Sequence, residues 1–144
     1  MVNVEVLELY KAVSKRTIDL VGSDQIASLP SCPLWSTMDL LRHVTAVCQD
    51  WVAHRLDGYG TEQWTSDGVN RLSKLNFDEV SYAWTTAIDQ MVSLSDEPGM
   101  GDPVRYAFGD AAAHEADLRA VLAPGTTLPS EALTLATKSS FVVW

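Results

Sequence analysis

The sequence predicts an all-α protein, an up-and-down bundle of four main helices with a trailing fifth helix. Apolar residues recur at spacings of three and four through most of the chain, and no strand pattern persists. Loops rich in Gly and Pro separate the helical segments. With 144 residues, of which 47% are apolar, the chain is about one domain with a real core. We therefore expect one helical domain over residues 1–144.

The first two predicted helices lie before residue 55. The first covers residues 3–22 and ends at Gly22. A loop over residues 29–33 follows, and Ser36 then begins a capping box in which Asp39 replaces the usual Glu. The second helix runs to about His54, and its apolar face includes Leu40, Val44, Val47 and Trp51. His43 lies beside that face.

Residues 56–76 have no clear prediction, because three glycines interrupt a pattern that would allow a short helix. Asn76 is a better N-cap, since Glu79 can reach back to it. The third main helix follows, with an apolar face formed by Val80, Trp84, Ala87, Met91 and Leu94. Residues 96–103 form an evident loop.

The fourth main helix begins near Val104 and ends at Pro124-Gly125. Its inward stripe consists of Ala107, Asp110, Ala111, His114, Leu118 and Val121. A last helix opens at residues 128–131 and continues to Trp144. Because natural carboxyl termini are usually exposed and often polar, this apolar ending indicates a truncated chain.

Composition excludes several classes of partner. The net charge is −9 with a pI near 4.5, and the ten basic residues are scattered, so we expect neither nucleic acid nor an anionic membrane as a partner. The start has no basic region before an apolar stretch, and no run approaches the roughly 20 apolar residues of a membrane span. Cys32 and Cys48 are too few for a disulfide framework. We expect a cytoplasmic protein with two reduced thiols.

The polar residues on the core face of the fourth helix predict a metal site. Asp110 and His114 are four residues apart, so one helical face presents both to one ion. His43, among apolar residues of another helix, is the natural third ligand. Two histidines and one carboxylate leave coordination positions open, as reactive metal sites do. Burying Asp110 without a partner would cost about 2–7 kcal/mol or more, and the alanines at 111–113 leave room for an ion.

Simpler interpretations compete for each residue taken alone. A single histidine on a half-apolar face is more often a core residue than a ligand, and an Asp and a His four apart commonly form one hydrogen bond. Asp117 would either accept from the free ring nitrogen of His114 or pair as an exposed charge with Arg119 or Arg42. The combination of three residues favours the metal site.

Two other residues lie near the predicted site in sequence but are not expected to be ligands. His54 is about 16 Å from His43 along the helix, too far to share an ion. Cys48 lies half a turn off the face of His43, so we expect it to pack rather than ligate.

Two motifs resemble those of a known family. Residues 32–43 read Cys-Pro-Leu-Trp-Ser-Thr-Met-Asp-Leu-Leu-Arg-His, which is similar to the Cys-Pro-x-Trp-x-x-x-Asp-Leu-x-x-His motif of the mycothiol-dependent maleylpyruvate isomerase family. That family is part of the DinB-like metalloenzyme superfamily. Residues 110–119 resemble its second motif, an acidic residue, a histidine four positions on, and then Asp-x-Arg. The resemblance extends over about residues 5–140.

The resemblance implies a DinB-like four-helix bundle that holds one divalent ion, usually zinc, on His43, Asp110 and His114. It places Asp117 and Arg119 around those ligands and implies mycothiol or another small thiol as co-substrate. The chain departs from the family in two respects. It has Asp110 where the isomerase has Glu, and we expect no part of residues 1–144 to correspond to the carboxyl-terminal domain that many members carry.

The expected function is thiol transfer to a small electrophile, or isomerisation of one, by a metal-dependent enzyme. A zinc-bound thiol is deprotonated outright, which makes it a nucleophile at neutral pH. The alternative is a non-catalytic metal- or ligand-binding bundle that serves as a sensor or partner-binding domain. A third interpretation is an apolar bundle without metal. The expected partner is a small-molecule substrate, and an acidic surface with an apolar tail also permits a homodimer.

Overall fold

The protein is mostly helical, as predicted. The computed structural model describes residues 4–91, 94 and 103–132. The helices are α1 (Val4–Ser23), α2 (Thr37–Val52), α3 (Glu62–Arg71), α4 (Phe77–Met91) and α5 (Pro103–Leu122). Residues 130–132 are also helical, in agreement with the predicted start of the last helix. The rest of that helix and most of the loop predicted at 96–103 lie outside the described residues.

A small hairpin precedes α2, where the sequence predicted only a loop. Strand β1 (Ser28–Leu29) pairs antiparallel with β2 (Cys32–Ser36), with an irregularity between Ser28 and Leu29. A two-residue strand is too short to show an alternating pattern, so the expectation that no strand would form was wrong here. The hairpin leads directly into α2, and the Thr37 hydroxyl at the start of α2 donates to the Asp24 carbonyl just after α1.

The predicted helix caps are confirmed. The Ser36 hydroxyl accepts from the Asp39 amide at 3.2 Å, and the Asp39 carboxylate accepts from the Ser36 amide at 3.2 Å. At the start of α4, Asn76 and Glu79 form the same reciprocal pair, at 2.9 and 3.1 Å. These caps satisfy amides that would otherwise lack partners at the two helix starts, and they fix where each helix begins.

The stretch without a clear prediction contains α3, which packs closely on α2. A Cβ on Gly68 would lie 2.8 Å from the Ala46 Cβ, so only glycine allows this approach without a backbone shift. The buried Asp50 carboxylate accepts from Arg55 and Arg71 at 2.9 Å each. These two ion pairs tie α3 and the loop before it to the end of α2.

The core lies between α1, α2, α4 and α5. Helix α1 packs mainly on α5 and α2 mainly on α4, and α2 also contacts α5. Trp84 and Tyr10 are fully buried at the centre, where the Trp84 indole donates to the Tyr10 hydroxyl at 3.0 Å. The contact of α2 with α5 brings the two helices that carry the predicted metal ligands together.

Candidate metal centre

The structure brings His43, Asp110 and His114 together between α2 and α5. His43 Nε2 lies 3.3 Å from Asp110 Oδ2, and His114 Nε2 lies 3.5 Å from Asp110 Oδ1. One potential ligand atom from each residue lies within 4.8 Å of the other two. His43 is 6% exposed and His114 is 7% exposed, so the cluster is shielded from bulk water.

Two of the polar atoms that converge in this cluster lack a hydrogen bond among the described residues. Asp110 Oδ2 and His114 Nε2 are buried, and neither has a hydrogen-bond partner among the described residues. Leaving such atoms unpaired costs about 1–3 kcal/mol each, so native proteins rarely tolerate it. Each histidine nitrogen lies near a different oxygen of Asp110, so either carboxylate oxygen could join the two nitrogens as a ligand. The cluster could therefore hold a metal ion.

Asp117 lies where it can orient His114. The Asp117 Oδ2 atom is 3.2 Å from His114 Nδ1. If Nδ1 carries the proton and donates it to this carboxylate, Nε2 is left with its lone pair directed toward Asp110, which is the arrangement of metal-ligating histidines. Of the two roles weighed for Asp117, the contact with His114 is the one that the structure shows.

The charges within the cluster change two pKa values. Burial opposes the charged form of His114, but the close contacts with Asp110 and Asp117, and the charges of these two carboxylates, outweigh burial and raise its pKa to about 10. Burial likewise raises the pKa of Asp110, but the charges and contacts of the two histidines outweigh it and hold that pKa well below its usual range. In the metal-free protein, His114 is thus protonated at neutral pH, and its positive charge balances the negative charge of Asp110 as a metal cation would.

Aromatic side chains lie on one member of the cluster and one helical turn away from another. The Trp35 ring packs on His43 with ring centroids 5.2 Å apart, and the His43 and His114 rings meet edge to face at 4.9 Å. Next to them, Trp51 stacks on Tyr106 at 5.6 Å with an interplanar angle of 4°. Tyr106 is one turn before Asp110 on α5. The stacked rings of Trp51 and Tyr106 therefore lie between the predicted metal ligands and the end of α2.

Arg119 and Arg42 bind groups other than Asp117. Arg119 donates to Glu115 at 2.8 Å and to the Thr126 hydroxyl at 3.1 Å. Arg42 donates to Asp39 and to the Leu72 and Leu75 carbonyls. The pairing of Asp117 with either arginine is not among these contacts, and a role for Arg119 around the metal ligands stays a prediction.

Sequence reasoning missed Glu115, which is fully buried on α5. It accepts from Arg119 and, through both carboxylate oxygens, from Arg16 on α1 at 3.0 Å. The sequence did contain a signal for this ion pair, because a charged residue directly follows His114 on a largely apolar helix and α1 carries basic residues. This ion-pair network fixes how α5, and with it Asp110 and His114, sits against α1.

The other residues considered near the site are not ligands in this arrangement. Cys48 is fully buried in the core, and burial raises its pKa to about 12, partly offset by a hydrogen bond with Tyr10. His54 is exposed in the loop after α2, with a positive φ of 58°. Cys32 and Cys48 are both free thiols, as expected.

No family model, curated protein or solved structure matches this chain at a significant level. The likeness to the maleylpyruvate isomerase family therefore stays a prediction that depends on the two motifs. Within the described ranges, none of the helices is long and apolar enough to cross a membrane.

Proposed function

We propose that this chain is a metal-dependent enzyme that uses a low-molecular-weight thiol such as mycothiol to modify a small electrophile. The observation that supports the proposal most directly is the cluster of two histidines and one carboxylate, in which Asp110 Oδ2 and His114 Nε2 are buried without a hydrogen-bond partner among the described residues. A set of three protein ligands leaves a coordination position open for a substrate. Zinc is the ion we expect, since imidazole and carboxylate both suit it.

The proposal includes the fold that the two motifs imply, an up-and-down DinB-like bundle of α1, α2, α4 and α5. The contacts of α1 with α5, and of α2 with α4 and α5, support it. It also includes a cytoplasmic location, because a thiol co-substrate has to stay reduced, as the two free cysteines would.

The chain's own residues would prepare the site in three ways. His43, Asp110 and His114 would hold the ion, and Asp117 would keep the proton on His114 Nδ1 so that Nε2 stays a ligand. When bound, a zinc ion supplies the acidity that deprotonates a coordinating thiol at neutral pH. The Trp35 ring on His43 would keep water from the buried side. Because the co-substrate is then the nucleophile, no side chain has to be one.

Thiol transfer requires fewer catalytic groups at this site than isomerisation does. In transfer, the sulfur–carbon bond that forms is kept, and the electrophile needs only a proton from the medium. Isomerisation also requires the thiol to leave again, a step that a positioned acid–base group usually assists. The third histidine of the chain, His54, is exposed in the loop after α2 rather than in the cluster. We therefore favour transfer.

A cobalt-substituted protein tests the proposal directly. Thiolate binding to cobalt gives a strong absorption band in the near ultraviolet, so adding 2-mercaptoethanol or mycothiol to the cobalt protein should produce it. His114→Ala should abolish the band, while His54→Ala, which changes an exposed histidine, should keep it. A cobalt spectrum that does not respond to either thiol would favour the non-catalytic binding bundle instead.

A further inference from the structure

A second polar feature lies beside the metal cluster, at the end of α2. Trp51 is 7% exposed, and its indole N–H is buried with no hydrogen-bond partner among the described residues. An indole nitrogen can only donate, so the missing partner has to be an acceptor. The neighbouring Trp64 shows the usual outcome, because its indole donates to the Arg55 carbonyl at 2.9 Å.

The Tyr59 hydroxyl is a second donor in the same place. The Tyr59 ring meets Trp51 edge to face at 5.4 Å and packs on Trp64 at 4.9 Å. The tight turn that carries Tyr59 has glycines at positive φ on both sides, Gly58 at 77° and Gly60 at 80°. Tyr59 is 40% exposed, so it lies between the buried indole and solvent.

This pair of donors lies near the metal cluster. Trp51 stacks on Tyr106, and Tyr106 precedes Asp110 by one helical turn, about 6 Å along α5. Burial raises the pKa of Tyr59, and the charge of Asp110 raises it further, while its contact with the Trp51 indole lowers it. The Tyr59 hydroxyl is therefore close to the Trp51 indole and within reach of the charge of Asp110.

We propose that Trp51 and Tyr59 form a subsite that binds a carbonyl or carboxylate oxygen of the small molecule whose other end occupies the metal centre. The proposal rests on the proposed function, because it assumes a ligand at the metal. An oxygen acceptor is required because the indole N–H can only donate and the Tyr59 hydroxyl can donate as well. Because Trp51 stacks on Tyr106, one helical turn from Asp110, we expect a molecule a few carbon atoms long, with the rings of Tyr106 and Trp64 beside its carbon chain.

Two matched thiols test the subsite on the cobalt-substituted protein. 4-Mercaptobutyrate and 1-butanethiol each offer a thiol to the metal, but only the first carries a carboxylate. We expect the wild-type protein to bind the acid about tenfold more tightly, since a hydrogen bond to a charged group contributes about 1.5–3 kcal/mol. Tyr59→Phe should reduce that preference several-fold with unchanged cobalt affinity, whereas Tyr82→Phe, at an exposed tyrosine of α4, should retain it.

The indole N–H resonances of the zinc-loaded protein give an independent measurement. The Trp51 resonance, assigned by its loss in Trp51→Phe, should shift downfield with the acid and stay in place with 1-butanethiol. The Trp64 resonance should not move in either titration.

The outcomes separate this proposal from the one it rests on. Equal affinity for the two thiols, or a preference that Tyr59→Phe retains, overturns the subsite while leaving the metal-dependent function intact. Failure of the protein to bind cobalt or any thiol overturns the proposed function and the subsite together.

Discussion

Asp110 is the residue on which the metal site depends, because it lies within 3.5 Å of both histidines. Its spacing to His114 could be predicted from helical geometry, and the apolar neighbours of His43 pointed to the third member. Asp117 could be placed near His114 on the same basis. Tyr59 and Trp51 could not be predicted as partners of this site, because a glycine-rich loop of undetermined form sets their contact.

Asp117→Asn should weaken metal binding without unfolding the chain. The amide oxygen of Asn is a weaker acceptor for the His114 Nδ1 proton, and the amide NH₂ group can face Nδ1 instead. The proton is then held less firmly on Nδ1, so Nε2 is less often free to bind the metal. Losing such a partner typically lowers metal affinity about 10- to 100-fold. Competition with a chromogenic zinc chelator measures the change. Asp57→Asn, at an exposed aspartate, is the control, and equal affinities in the two variants would show that Asp117 has no such role.

Metal binding should release a proton at pH 7.5. The ordinary pKa of histidine is 6.5, and that of His114 in the metal-free protein is raised to about 10, so His114 is protonated there and has to lose its proton to become a ligand. Affinity for zinc should consequently rise with pH up to about pH 10. Calorimetric titration in buffers of different ionisation enthalpy counts the protons, and binding without release would contradict this protonation state.

The same shift sets how the stability of the metal-free protein depends on pH. Because the pKa of His114 is raised on folding, its contribution to stability is fully present below pH 6.5 and is lost as pH rises toward about 10. The lowered pKa of Asp110 acts in the opposite direction. Its contribution is present above the ordinary value of 3.8 and is lost as pH falls below it.

At the scale of elements, helix α5 carries both the metal residues and the buried ion pairs that hold it. The sequence showed where α1, α2, α4 and α5 lie, because each has a continuous apolar stripe and two of them begin with a recognisable cap. It did not show α3 or the hairpin. Helix α3 depends on the close approach at Gly68 and on ion pairs with Asp50, and β1 consists of two residues only.

Glu115→Ala should destabilise the protein strongly. The substitution leaves Arg16 and Arg119 facing a buried site without the carboxylate that both bind, and breaking one side of a buried ion pair costs about 3–5 kcal/mol. Urea denaturation of the metal-free protein measures the loss in the free energy of unfolding. Glu8→Ala, at an exposed glutamate of α1, should change it by less than about 1 kcal/mol. Similar values for the two variants would contradict a structural role for Glu115.

At the scale of the whole molecule, a mostly helical protein places one polar cluster between two of its helices. Composition and periodicity were sufficient to predict this class, because about half of the residues are apolar and recur with helical spacing. The reaction could not be derived in the same way. It depends on which thiol and which electrophile fit the open side of the site, and their recognition depends on loop residues such as Tyr59. The homodimer also stays a prediction.

The metal content of the purified protein tests the central claim most directly. Elemental mass spectrometry should find about one divalent ion per chain in the wild type and in His54→Ala, and far less in His43→Ala, Asp110→Ala and His114→Ala. Circular dichroism would establish that the three depleted variants remain helical. A wild-type protein that holds no metal, even after dialysis against zinc, would contradict the account.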